Sequence, residues 1–156
     1  GNTGGVMEAA LRTVYRVLEG KEAPADFYQL RPVRGLSNRK EAEVTIAGKK
    51  LRVCILYGTA AAEKFLAEDM NGYHFVEVMT CPGGCISGAG QPDCGSVPVS
   101  DVVRKKRIQS LYQADEQAER RNSMDNPEIG TIYHEFFKEP LSMLSEKLLH
   151  TTYKGK

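Results

Sequence analysis

The order of hydrophobic patterns between residues 42 and 80 constrains the fold more than any other feature of the chain. Ala42, Val44 and Ile46 alternate with polar residues, and after a short turn the alternation resumes, which predicts a β-hairpin. A stretch of helical composition follows, and then a third apolar strand at residues 73–80. A strand, a helix and a further strand favour a crossover that makes the third strand parallel to the second. We expect an α/β fold in which helices flank a small mixed sheet.

The N-terminal region predicts a helix. Residues 6–18 place apolar side chains on one face of a 3.6-residue period, and Gly20 follows as a stop. The run Gly1–Gly5 enters this helix without an initiating Met, which is typical of a piece cut from a larger protein, with a cloning remnant at Gly1 as the alternative. If the chain is such a piece, the Met7–Leu18 face of the helix should be an exposed apolar patch.

The last third of the chain predicts helices. Ser100 can cap a helix that reaches about Arg121, and Pro127 and Pro140 can each start another. We therefore predict an α/β lobe at residues 1–98 and a helical C-terminal extension of the same domain at residues 99–156.

Composition limits the partners. The formal net charge of +1 gives no overall basic field for nucleic acid, and no stretch approaches the roughly 20 apolar residues of a membrane span. We expect neither a nucleic-acid partner nor a membrane span, and we interpret the run Arg104–Arg107 as a solvated helix face. Four cysteines without a leader sequence indicate reduced thiols and a cytoplasmic location, with the periplasm as the alternative.

A cysteine motif stands directly after the third strand. Cys81 and Cys85 enclose Pro82, Gly83 and Gly84, so the backbone can turn tightly around a bulky inorganic group. Thiolates select iron–sulfur clusters, zinc or copper(I), and the glycine N–H groups could donate to sulfide or thiolate. Paired cysteines in a reduced protein are nevertheless often without a ligand, and their spacing alone does not decide between the two.

The wider sequence around the motif carries a family resemblance. Glu-Val-Met-Thr-Cys-Pro-Gly-Gly-Cys-Ile-Ser-Gly-Ala-Gly-Gln-Pro, residues 77–92, closely resembles the third cysteine signature of iron-only (di-iron) hydrogenases, with Ala89 where glycine is usual. Residues 1–13 resemble the helix that starts beside the active site of that family, and residues 132–153 resemble its terminal helices. The first helix is more similar to the enzymes of anaerobic bacteria than to eukaryotic relatives that assemble iron–sulfur proteins.

This resemblance implies one lobe of the catalytic H-cluster domain of an iron hydrogenase. In that family four cysteines hold a 4Fe-4S cluster that is bridged to a di-iron subcluster, where protons are reversibly reduced to hydrogen. By motif position, Cys81 matches a terminal ligand, Cys85 matches the bridging ligand, and Met79 matches a residue packed against the di-iron unit. Gly83 and Gly84 are expected to contact the cofactor.

The resemblance also implies partners. The first two signatures of the family are expected before Gly1, so the chain alone holds two of four ligands, should be inactive and could bind no cluster by itself. We expect the remainder of the hydrogenase catalytic domain, on the same or a separate chain, and a ferredoxin-type electron carrier. The alternative is a non-enzymatic iron–sulfur binding, assembly or sensing protein with a hydrogenase-like domain.

Several other residues are open to two interpretations. A zinc site could form from Cys81, Cys85, Cys94 and His74, since tetrahedral zinc accepts three thiolates and an imidazole. We interpret Cys54 and Cys94 as core or bystander thiols. Glu77 could serve proton traffic, or it could anchor the end of a strand.

Overall fold

The computed structural model describes residues 1–68 and 70–152. They form two compact units, one of residues 1–119 and one that begins at residue 120. The boundary that we predicted between residues 98 and 99 stays a prediction. In the described ranges, no helix has the length and apolar character needed to cross a membrane.

The first unit is built on a mixed three-stranded sheet. Strands β1 (Arg39–Ile46) and β2 (Lys49–Tyr57) are antiparallel and joined by a two-residue turn. Helix α2 (Thr59–Leu66) then crosses over to strand β3 (Phe75–Met79), which is parallel to β2. The strand order is β1-β2-β3, so the predicted hairpin and crossover are both confirmed.

Helices cover both faces of this sheet. Helix α1 (Gly5–Glu19) buries Met7 and Leu11 against the face that includes Val53 and Ile55. The expected exposed patch on α1 is therefore wrong for most of its length, because the hairpin and the connector after α1 cover Met7 completely. Within the predicted face, only the last turn leaves an apolar side chain, Leu18, largely exposed.

Strand β3 lies at an edge of the described sheet. We predicted that Phe75, Val76, Val78 and Met79 are buried, but Phe75 is 43% and Val78 is 56% exposed. The prediction is wrong for these two side chains because, among the described residues, β3 has a strand neighbour on one side only. Glu77 is instead the buried residue of this strand, with 6% exposure.

Helix α3 (Asp101–Gln117) completes the first unit. The hydroxyl of Ser100 accepts the N–H of Val103, as predicted, although the helix ends four residues before Arg121. Its last turn is joined to α1 because the guanidinium of Arg12 forms an ion pair with Asp115 at 2.8 Å.

The second unit consists of short helices. Helix α4 (Pro127–Ile132) continues into a π-helical turn (Tyr133–Phe137), and α5 (Met143–Leu149) follows. The last helix begins at Met143 and not at Pro140, because Leu141 has φ 63° and Ser142 supplies the cap. Tyr153, which we included in the resemblance, lies outside the described residues. Nine large apolar side chains among the described residues of this unit are exposed: Met124, Ile129, Ile132, Phe136, Leu141, Met143, Leu144, Leu148 and Leu149.

Candidate metal centre

The cysteine motif forms a tight loop after β3, at the carboxyl ends of the two parallel strands. The N–H of Gly84 donates to the carbonyl of Cys81 at 2.9 Å, and a 3-10 turn begins at Cys85. We expected the N–H of Gly84 to be available to a sulfide or thiolate, and this is wrong because the loop itself uses that donor. Cys81 is half-buried and Cys85 is exposed, so a ligand could reach both thiols.

The N-terminal residues pair with this loop as a short antiparallel ladder. The N–H of Cys85 donates to the carbonyl of Gly1 at 2.7 Å, and the N–H of Thr3 donates to the carbonyl of Gly83 at 2.9 Å. Asn2 and Gly84 form the bridge between these bonds. The ladder fixes the backbone of the second cysteine, and the sequence patterns gave no signal for it.

Gly84 is the most crowded position of the ladder. Its φ is 92°, and a Cβ there would lie 2.7 Å from the Sδ of Met79 and 2.8 Å from the N of Thr3. A residue with a side chain would clash with both, and it would rarely adopt this φ. Glycine is required here because the side chain of Met79 and the backbones of Gly1 and Thr3 all meet at this position. Met79 itself is half-buried at the end of β3.

A buried carboxylate holds the start of α1 beside the loop. The Oε1 of Glu77 accepts the N–H of Gly4 at 2.6 Å, and its Oε2 accepts the N–H of Met7 at 2.7 Å. Glu77 therefore caps a helix that has no side-chain cap of its own, and its charge lies at the positive end of the helix dipole. Of the two roles that we considered for Glu77, this geometry is that of an anchor.

Lys40 holds the same segment from β1. Its Nζ donates to the carbonyl of Thr3 at 3.0 Å and to the carbonyl of Gly35 at 3.0 Å. Burial lowers the pKa of Lys40 to about 8, and the negative charge of Glu77 opposes part of that shift. Neither Lys40 nor its link to Thr3 was evident in the sequence.

Two arginines of α3 hold the chain that follows the second cysteine. Arg104 donates to the hydroxyl of Ser87 at 3.1 Å, and Arg107 donates to the carbonyls of Ile86 and Pro92, each at 2.6 Å. The interpretation of this basic run as a solvated face is therefore wrong for its two arginines. Only Lys105 and Lys106 are exposed.

The remaining candidates do not join the loop. Cys54 lies in the core, where burial raises its thiol pKa, and hydrogen bonds with Ser96 lower the pKa of Cys94. The Nδ1 of His74 accepts the N–H of Arg52 at 3.0 Å. Across residues 1–68 and 70–152, no three or more Cys, His, Asp or Glu side chains are grouped to hold a metal ion, so the zinc hypothesis is wrong for this structure.

Fold and loop together define an α/β domain that presents a thiol pair at the carboxyl ends of parallel strands. The model of the family described as iron only hydrogenase large subunit, C-terminal domain, matches residues 1–89. A second model, iron hydrogenase small subunit, matches residues 101–156. The chain belongs to the family of iron-only hydrogenase large subunits, of which it has the C-terminal domain.

Individual relatives agree with this assignment. Iron hydrogenase 1 of Clostridium pasteurianum is 38% identical over 99% of this chain, which spans 27% of that relative. The solved structure of the FeFe-hydrogenase HydA1 of Chlamydomonas reinhardtii matches with a TM-score of 0.73 and 32% identity, over 98% of this chain and 45% of that one. Protein NAR1 of Arabidopsis thaliana is 30% identical over 98% of this chain, which spans 32% of it. The chain thus spans about a quarter to a third of these curated relatives.

The residues of the loop fit one side of an iron–sulfur group. Its two accessible thiols are soft donors of the kind that such clusters require. The glycine at position 84 lets the loop pack closely against Thr3 and Met79. A cubane has four iron atoms to ligate, whereas this loop provides two thiols, so the chain's own donors fit the group only in part.

The crowding at Gly84 predicts a sharp cost for a methyl group. We expect Gly84→Ala to lower the free energy of unfolding by about 3 kcal/mol, because it adds backbone strain to the clash with Met79 and Thr3. Gly88→Ala is the matched control, since a Cβ there meets nothing closer than 3.4 Å. Urea titration of both variants measures the difference, and equal stability of the two would contradict the crowded geometry.

The lowered pKa of Lys40 predicts a pH dependence. The folded chain binds this proton less tightly than the unfolded chain, so the free energy of unfolding should rise between about pH 8 and the ordinary lysine pKa of about 10.4. Lys40→Met should lack this rise. Urea titrations of both proteins at about pH 7 and about pH 10 give the comparison. Parallel changes in the two proteins would show that Lys40 does not titrate as stated.

Proposed function

We propose that this chain supplies two ligands of the H-cluster, Cys81 and Cys85, to an iron-only hydrogenase that reversibly reduces protons to hydrogen. The observation that carries the proposal is the ladder between Gly1–Thr3 and the cysteine loop, in a chain of this family. The ladder keeps the Cys85 backbone in place while the residue stays exposed. A ligand held in this way needs little further ordering when a cluster binds.

The residues of the loop then have separate roles. Cys81 would hold the 4Fe-4S cluster as one of its terminal ligands, and Cys85 would be the cysteine shared by this cluster and the di-iron subcluster. Met79 shapes the pocket beside Cys85, since the sulfur of Met79 lies against Gly84 and its methyl group lies against Gly1. Gly83 and Gly84 allow the tight turn between the two cysteines, since a Cβ on either would lie within 3.1 Å of other protein atoms. When bound, the cluster supplies the redox chemistry in which protons and electrons combine.

We call the part of the hydrogenase catalytic domain that lies outside this chain the completing half-domain. It would supply the other cluster ligands, because this chain spans 45% of the matched solved hydrogenase. The exposed Phe75 and Val78 of β3 support its presence, since an edge strand with apolar side chains on both faces is typical of a strand inside a larger sheet. Without the completing half-domain, the chain should be inactive.

The division into an α/β lobe and a helical extension belongs to the same proposal. The exposed apolar side chains of α4, α5 and the π-helical turn indicate that the extension also binds another part of the enzyme. A ferredoxin-type carrier would deliver electrons. The cytoplasmic location stays a prediction.

The second candidate is a non-enzymatic role in binding or assembling iron–sulfur clusters. The similarity to protein NAR1 favours it, but the identity of 30% is lower than the 38% to iron hydrogenase 1. In that case Cys81 and Cys85 would still bind iron, and hydrogen would not form.

Hydrogen formation by the complete protein, this chain together with the completing half-domain, tests the proposal. We expect Cys85→Ser to lower hydrogen formation from a reduced dye by more than about a hundredfold, because loss of a direct ligand should exceed the 10- to 100-fold effect of losing a supporting residue. Iron and sulfide content should fall with it. Cys94→Ser is the matched control and should keep both, since Cys94 lies outside the ligand motif.

Two results would contradict the hydrogenase proposal. Full activity of Cys85→Ser would remove this cysteine from the site. A complete protein that binds iron through Cys81 and Cys85 but forms no hydrogen would support the assembly role instead.

A further inference from the structure

The residues that hold the Gly1–Gly4 segment suggest a role beyond ligation. This segment carries one half of the ladder under the cysteine loop, so its position sets the position of Cys85. Among the described residues, two buried charged side chains reach it from the sheet: Glu77 from β3 and Lys40 from β1.

We infer that Glu77 is a positioning residue for Cys85, acting through the Gly1–Thr3 ladder. Glu77 lies on the strand that leads into the cysteine motif, and its carboxylate accepts the N–H of Gly4 and the N–H of Met7 at 2.6 and 2.7 Å. The strand therefore binds the segment twice, once through this side chain and once through the loop that follows it. Such a closed connection ties the cysteine loop to the first turn of α1.

The surroundings of Glu77 make its carboxylate difficult to replace. The side chain is 6% exposed, so water cannot readily supply acceptors for the two N–H groups if the carboxylate is lost. Gly4 lies directly against the backbone of Val33, since a Cβ at that position would collide with the carbonyl oxygen of Val33. The geometry leaves little room for the segment to find another partner while it stays paired with the loop.

Lys40 supports this arrangement from the opposite direction. Its ammonium donates to the carbonyl and the hydroxyl of Thr3, at 3.0 and 3.2 Å. The backbone N–H of Thr3 in turn donates to the carbonyl of Gly83. Thr3 is thus held on one side by Lys40 and on the other by the cysteine loop, while Glu77 fixes Gly4 beside it.

Amide hydrogen exchange of the whole chain, without any cluster, tests the inference. In Glu77→Gln we expect the Thr3 and Cys85 amides to exchange about tenfold faster or more, beyond any change at the β2 amides, because one charged acceptor is lost. The β2 amides report global stability. Glu8→Gln is the matched control, since Glu8 is also buried on α1, at 3% exposure, but pairs with Arg12 and Arg34 and not with the ladder.

The outcomes separate positioning from general stability. Faster exchange at Thr3 and Cys85 in Glu77→Gln alone supports the inference, whereas changes that only follow β2 in both variants would overturn it. If Glu77→Gln does not fold, Glu77→Asp keeps the charge at a shorter reach and is judged by the same two amides. The role in a cluster site rests on the proposed function, but the exchange experiment does not. A negative exchange result would overturn the positioning role of Glu77 but not the proposed hydrogenase function. A negative hydrogen test would overturn the proposed function but not the positioning role.

Discussion

The pairing of the first three residues with the cysteine loop is the contact on which the rest of the site depends. Two backbone hydrogen bonds, to Gly1 and from Thr3, hold a segment rich in glycine that would otherwise have many conformations. Buried partners in turn hold the segment: a carboxylate from β3 and an ammonium from β1. Side chains from the sheet thereby fix the loop that follows the carboxyl end of β3.

Helix α3 secures the other side of the loop. Arg104 and Arg107 donate hydrogen bonds to Ser87, Ile86 and Pro92, so the chain leaving Cys85 is also held in place. Helix α3 is itself joined to α1 through the ion pair of Arg12 with Asp115. Because this ion pair is partly buried, with side-chain exposures of 5% and 29%, it is less screened by salt than an ion pair on an open surface. The cysteine loop is therefore held between α1, the sheet and α3.

Local patterns were sufficient to predict the sheet. Alternation in β1 and β2 predicted the hairpin, and the helix between β2 and β3 predicted a parallel third strand, because a strand, a helix and a further strand favour a parallel crossover. The cysteine loop could also be predicted, because the residues of its signature are adjacent in the sequence. The predicted burial of Phe75 and Val78 was wrong because the exposure of a strand depends on whether it has a neighbour on each side, and no pattern within residues 75–79 reports that.

Contacts between distant residues account for what the sequence did not reveal. Glu77 and Gly4 are far apart in the chain, as are Arg107 and Ile86 to a lesser degree, and neither pair has a characteristic spacing. A charged residue in a strand, such as Glu77, is expected to be exposed to solvent. In this fold its carboxylate is instead buried against the N-terminus of α1. The same limit explains why the basic run of α3 was interpreted as a solvated surface.

Alkylation of cysteines in the complete iron-loaded protein tests most directly whether Cys81 and Cys85 are the ligands. Mass spectrometry after brief treatment with iodoacetamide should find Cys81 and Cys85 unmodified while iron is bound and modified once a chelator has removed it. Cys94 should be modified equally in both states. Equal modification of Cys81 and Cys85 with and without iron would contradict the account.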